Sequence, residues 1–223
     1  MSVEAVETQE VVKTEREGLF SKRRRKFVSD PLNDDNPITV QVLGICSALA
    51  VTTQMKPTLV MSIAVIFVTV FSNLIISLMR RLVPNRVRII VQLAVIATLV
   101  TLVNEVLKAY LFDMYKQLAV FVGLIITNCI IMGRLEAFAL GNKPWDSVLD
   151  GLGSGFGYAW IILTVAFFRE LLGSGSIFGF KVFEAMSINF PNNGLMVTSI
   201  GAFMVLGIII WVQRTLNGYV EEH

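Results

Sequence analysis

Val42-Leu43-Gly44-Ile45-Cys46-Ser47-Ala48-Leu49-Ala50-Val51-Thr52 is the stretch on which the reading of the whole chain turns. It is apolar enough to enter a membrane. It is too short and too interrupted for an ordinary span, which needs about 20 apolar residues. Gly44 and Ser47 weaken a helix on either side of Cys46, one of only two cysteines in the chain. The other, Cys129, follows Thr127-Asn128 in a second short apolar stretch, 121–133. The two stretches are expected to face each other at mid-membrane and to hold something between them.

The composition around them supports a membrane setting. Of 223 residues, 54% are hydrophobic and 16% charged, where a soluble domain carries about 25% charged residues. Mean hydropathy is +0.67. The apolar residues come in long blocks rather than on single helical faces, the pattern of a polytopic membrane protein. Residues 1–37 are polar, without an apolar period, and read as a basic, largely disordered tail. No short apolar core follows Lys22-Arg23-Arg24-Arg25-Lys26, so the run is not a secretory signal. It suits anionic headgroups better than nucleic acid, for which no folded module is present. The single histidine is His223. Ser-His-Asp and Cys-His catalysis are thereby excluded, and two cysteines cannot complete a four-ligand zinc or iron–sulfur site alone.

Six apolar segments are expected, at roughly 38–54, 57–79, 86–107, 117–133, 147–171 and 195–213. The second, third, fifth and sixth approach spanning length, whereas the first and fourth fall short. Three segments followed by three, with the short one first in each set, predict an all-α domain over 38–223. It would be built as two inverted three-helix repeats, the first helix of each broken into half-helices. Paired short segments in corresponding places point to a mid-membrane site. With the N-terminus inside, 14 of the 19 Lys and Arg residues fall on the inner side. The positive-inside rule then places both termini in the cytoplasm.

Free cysteines are commonly small, buried, inert residues, and that reading stays open for Cys46 and Cys129. A broken helix beside each would aim backbone N–H groups at the thiol and favour thiolate, which raises the alternative of a shared metal site. Gly151-Leu152-Gly153-Ser154-Gly155-Phe156-Gly157 has no strand before it and is not a dinucleotide loop; its G-x-x-x-G spacings predict close helix packing. Gly173 and Gly175 read as a helix stop. Asp150 is expected at the start of the glycine-rich helix and Glu105 near the outer end of the third segment. Both are candidates for an ion pathway, against a capping or solvated role. Glu136 is expected to pair with Arg134, and Arg169 with Glu170 at the membrane surface. Lys108, Tyr110, Tyr115, Lys116, Trp145, Trp211 and Tyr219 suit interfacial anchoring.

The motifs Asn36-Pro37, Gln41-Val42-Leu43-Gly44-Ile45-Cys46-Ser47-Ala48, Thr127-Asn128-Cys129, Met132-Gly133-Arg134-Leu135-Glu136-Ala137-Phe138-Ala139 and Phe168-Arg169-Glu170-Leu171-Leu172-Gly173-Ser174-Gly175 together closely resemble the NqrD/RnfE family, over about residues 35–215. Pro84-Asn85-Arg86-Val87-Arg88-Ile89-Ile90-Val91-Gln92, Asn193-Gly194-Leu195-Met196 and Ile130-Ile131-Met132 bring the chain nearer the sodium-pumping branch than the ferredoxin-linked Rnf branch. The resemblance implies a bacterial inner-membrane subunit of a Na+-translocating NADH:ubiquinone reductase, not catalytic alone. It implies a homologous NqrE-like partner of opposite orientation, other subunits that bind NADH, flavins and ubiquinone, and a [2Fe–2S] cluster shared with the partner. Cys46 and Cys129 are the matching ligands, two of four. Asp150 and Glu105 match acidic positions linked to the Na+ path. The cluster would relay electrons between flavins on opposite sides of the membrane, coupled to outward Na+ movement. The basic N-terminal extension is longer than the family pattern. The rival readings are the equivalent Rnf subunit, a secondary transporter that also uses broken inverted helices, and an assembly subunit with inert thiols.

Overall fold

The computed structural model describes residues 36–80, 82–84, 86–110, 121, 123–174, 176–177, 180–181, 194 and 198–216. Among them run six α-helices: α1 (Ile45–Val51), α2 (Met55–Met79), α3 (Arg88–Tyr110), α4 (Cys129–Arg134), α5 (Pro144–Ser174) and α6 (Ser199–Leu216). A π-helical turn, Leu135–Ala139, continues α4. One departure from the all-α expectation is a small antiparallel ladder of β1 (Ser176–Ile177) with β2 (Phe180–Lys181).

Three helices, α2, α3 and α5, are long and apolar enough to cross a membrane, and α6 is apolar but shorter. The second, third and fifth expected segments fall almost wholly within the first three. α5 starts earlier than expected, at Pro144, because proline's fixed φ and missing N–H suit a first helical turn. It ends at Ser174, where the glycines predicted a stop. Of the expected sixth segment, residues 195–197 lie outside the described residues, as do 117–120 and 122 of the fourth. What is described of the fourth is helical at 123–126, leaves the helix at Thr127 and Asn128, and restarts at Cys129. The first segment is helical only over its seven residues Ile45–Val51, after a turn at 37–40.

The core is the α2–α5 pair, which makes the largest interface between described elements. Glycine permits it. A Cβ on Gly151 would lie 2.8 Å from Asn73 Nδ2 and 3.3 Å from Val70 Cα; one on Gly155 would lie 3.0 Å from Ile66 Cγ1. The G-x-x-x-G spacing therefore serves close packing, since lipid tails give helices no hydrophobic reason to associate and contact must do so instead. Gly151→Ala is expected to cost about 1–3 kcal/mol by overpacking, read as a lower melting temperature of the detergent-solubilised protein. An unchanged melting temperature would show that backbone approach is not limiting here.

Hydroxyls buried along α2 satisfy themselves on their own helix. Thr58, Ser62 and Thr69 donate to the carbonyls of Gln54, Thr58 and Val65 at 2.6, 2.7 and 2.7 Å, which removes the cost of an unpaired polar group in an apolar interior. Across the interface, Asn73 Nδ2 donates to the Ser147 carbonyl at 3.1 Å. At the end of α2, Ser77 Oγ and Arg80 Nη1 both donate to the Asn142 carbonyl at 2.8 Å. α3 is peripheral: it buries Gln92, Ile96, Val100 and Leu107, a narrow stripe at helical spacing.

The segment before α1 is threaded into this core. Asn36 Nδ2 donates to the Gly157 carbonyl of α5 at 3.3 Å, and Asn36 Oδ1 accepts from Ile38 N at 3.0 Å. Leu43 N closes the turn onto the Pro37 carbonyl at 2.8 Å. The Asn36-Pro37 motif thus docks the chain on α5, which delivers Gly44 to the middle of that helix.

Candidate functional site

Gly44 sits at φ +80°, the left-handed region that costs a side chain but not glycine. A Cβ there would also meet Tyr158 Cε2 at 3.1 Å. From this conformation Gly44 N–H donates to Cys129 Sγ, N to S 2.9 Å. Two residues earlier Val42 has φ 57°, a conformation a β-branched residue resists. The next residue after Gly44 starts α1, so Cys46 lies in that helix's first turn, exposed on the surface of the chain. Cys129 is the first residue of α4 and is half-buried. Its helix is capped by Asn128, whose Oδ1 accepts from Ile130 N at 3.3 Å. Close approach of Gly133 to Leu43, 3.0 Å from a Cβ position to Leu43 Cδ1, completes the contact. The two cysteine stretches therefore meet, as the sequence predicts.

Beneath them lies a buried polar knot. Ser47 Oγ donates to the Gly44 carbonyl at 2.8 Å and lies 2.7 Å from the Tyr158 hydroxyl. Asn128 Nδ2 donates to the same Ser47 Oγ at 3.4 Å. Ser47, Asn128 and Tyr158 are each less than 5% exposed. One α5 side chain thus joins both cysteine-bearing segments. No group of three or more His, Cys, Asp and Glu comes together among the described residues.

The acidic candidates separate. Asp150 is buried, two turns into α5 rather than at its start, and Asp146 occupies the first turn. Arg134 grips Asp150 with both arms of its guanidinium: Nε donates to Oδ2 at 3.0 Å and Nη2 to Oδ1. The expected Arg134–Glu136 pair does not form. Glu136 instead pairs with Arg88 and accepts from Gln92 Nε2 at 3.2 Å. Cys129 and Arg134 are the two ends of α4, so Asp150 is tied to the helix that carries a cysteine. Glu105 lies apart, exposed on α3.

Arg169 and Glu170 are both buried. Arg169 Nη1 donates to Thr52 Oγ1 at 2.6 Å and to the Leu49 carbonyl at 3.3 Å, and Nη2 to the Thr198 carbonyl at 3.2 Å. Glu170 Oε2 accepts from Met55 N at 2.6 Å. The cation thus meets the C-terminal, partially negative end of α1, and the carboxylate meets the start of α2. Ser47 was read from the sequence only as a helix-weakening neighbour of Cys46, and Tyr158 was not singled out. The signal that could have found Tyr158 was a phenol in mid-span, which needs a hydrogen-bond partner when buried.

A family model described as "Rnf-Nqr subunit, membrane protein" matches residues 25–210. The chain is 54% identical over 199 residues to the D subunit of the Na(+)-translocating NADH-quinone reductase of Pasteurella multocida, covering 88% of this chain and 96% of the relative. It is also 54% identical over 199 residues to the protein of that description from Photobacterium profundum, covering 88% of this chain and 95% of the relative.

Proposed function

The chain belongs to the Rnf-Nqr family of membrane subunits, and from that membership we propose that it serves as the D subunit of a Na+-translocating NADH:ubiquinone reductase. In that role it carries electrons across the membrane as part of a pump that moves Na+ outward. NADH, flavins and ubiquinone are bound by other subunits. The observation that carries the reading is the meeting of the two cysteine stretches through Gly44 N–H and Cys129 Sγ, in a chain similar to D subunits along nearly their whole length. In a secondary transporter the cysteines would be dispensable and solute uptake would survive their loss.

The proposed site is half of a [2Fe–2S] centre. Cys46 and Cys129 are two ligands, and a homologous NqrE-like subunit of opposite orientation supplies the others. The residues fit such a group. Both thiols lie in the first turn of a helix, one sulfur already accepts a backbone N–H, and the other is open to a neighbour. When bound, the cluster takes up and releases single electrons. The chain's own residues orient the sulfurs: Asn128 caps the Cys129 helix and Gly44 holds the Cys129 side chain from across the gap. The short α1 and the interrupted fourth segment support two inverted three-helix repeats with broken first helices. The location is the bacterial inner membrane, with both termini cytoplasmic.

Asp150 and Glu105 are proposed for the ion path. A Na+ reaching Asp150 competes with Arg134 for the carboxylate. Glu105 is exposed, so Glu105→Gln is structurally mild. It is expected to weaken Na+ stimulation severalfold with iron content and abundance unchanged, and an unaltered Na+ response would remove Glu105 from the path. The function itself is tested in membranes with and without this chain. Na+-stimulated NADH oxidation with ubiquinone should require it. Loss of ferredoxin:NAD+ activity instead, with the quinone reaction intact, would contradict the reading.

A further inference from the structure

We propose that Tyr158 is a positioning residue that sets the reduction potential of the metal centre by holding the Gly44 peptide against the Cys129 sulfur. The inference rests on the cluster reading above and adds to it a residue on a different helix.

The hydrogen-bond directions lead to it. Ser47 has one hydroxyl proton, and the Gly44 carbonyl, 2.8 Å away, accepts it. The 2.7 Å contact between Ser47 Oγ and the Tyr158 hydroxyl must then be donated by tyrosine, since a hydroxyl has one donor and two acceptor sites. Asn128 Nδ2 donates into the remaining lone pair at 3.4 Å. Ser47 is thus saturated, and its orientation is fixed from α5 and from the Cys129 cap together. Through its bond to the Gly44 carbonyl it fixes the peptide unit after Gly44. Through the Pro37 carbonyl, Leu43 N fixes the chain before it. The Tyr158 ring stands against Gly44 on the open side, 3.1 Å from where a Cβ would be. Gly44 is therefore held at φ +80° with its N–H on sulfur, in a site where relaxation is blocked by packing.

An N–H donated to a ligand sulfur stabilises the more negative, reduced state of a cluster and so raises its potential. A phenol buried in a membrane protein could instead be there for packing, with its hydroxyl merely satisfied. The two roles differ in what they do to potential.

The experiment is Tyr158→Phe in the complete complex, with iron content, EPR line shape and midpoint potential measured. The ring and its contact with Gly44 remain, and what is lost is the hydroxyl with its hydrogen bonds to Ser47 and Asn128. Iron content should be unchanged, the line shape altered and the midpoint potential lowered. A cluster present with potential and line shape unmoved overturns the proposal. Should Tyr158→Phe fail to assemble, Ser47→Ala carries the test with the same expected shift, and an unchanged potential there overturns it equally. Ser47→Thr keeps the hydroxyl and should return the potential toward that of the parent. Cys129→Ala in the same complex separates the two levels. Iron retained in that variant defeats the cluster reading itself, whereas iron lost there with Tyr158→Phe unshifted defeats only the role of Tyr158.

Discussion

Cys129→Ala in the assembled complex is expected to remove the iron–sulfur EPR signal and to reduce electron transfer to quinone to background. The sulfur is the atom on which the Gly44 N–H converges, and the side chains packed around it offer no replacement. Asn128 is committed to capping α4 and to Ser47, and Ser47 to the Gly44 carbonyl. Thiolate is the ligand an iron–sulfur cluster takes from a protein of this composition, which has no internal histidine. Cys46→Ala should have the same effect on iron at smaller cost to the fold, because Cys46 is exposed and Cys129 is part of the packed contact. Iron and quinone reduction persisting at parental levels in both variants would reduce the cysteines to inert thiols.

Breaking the Arg134–Asp150 pair is the second large effect. Both groups are buried, with Asp150 1% and Arg134 9% exposed. Arg134→Met leaves a carboxylate without its guanidinium in an apolar interior, and removal of one partner from such a pair costs about 3–5 kcal/mol. The loss should appear as reduced thermal stability of the complex in detergent. Replacement of both, Arg134→Met with Asp150→Leu, should recover most of it, since an apolar pair of similar volume is often neutral relative to a buried ion pair. The double variant also separates structure from transport. If it is stable and Na+ stimulation is lost, the Asp150 carboxylate acts on the ion. If it is stable with Na+ stimulation intact, Asp150 serves only to hold α4 against α5.

Helices were legible wherever one property extended over many residues. The second, third and fifth segments are continuous apolar runs, and α2, α3 and α5 occupy them. The meeting of the two cysteine stretches was legible for a different reason. Gly44, Ser47, Thr127 and Asn128 are poor helix residues in otherwise helical surroundings, and such local conflicts mark sites. Pairings among charged residues were not legible. Arg134 and Glu136 are two apart, and side chains two apart on a helix do not face each other. The π-helical turn from Leu135 onward carries Glu136 toward Arg88 on α3 while Arg134 turns to α5. Arg169 was expected to pair with its neighbour Glu170, but its bonds to Thr52 and to the Leu49 and Thr198 carbonyls reach other segments of the chain. Tyr158 escaped notice among glycines for the same reason: its importance lies in Ser47, 111 positions earlier.

The unequal exposure of the two thiols bears on how the protein is made. The chain by itself keeps Cys129 turned inward against Gly44 and presents Cys46 to its surroundings. An uncovered sulfur is accessible to oxidants and to stray metal, since reactivity follows access. On the proposed cluster reading, iron delivered before pairing would find only half of its ligands, and iron delivered after pairing would lock the two chains together. That reading orders biogenesis, with subunit association first and metal loading second, and would make the inorganic centre the rivet of the pair as well as its wire. Separation of the paired subunits should accordingly release iron, and chelation should loosen the pair.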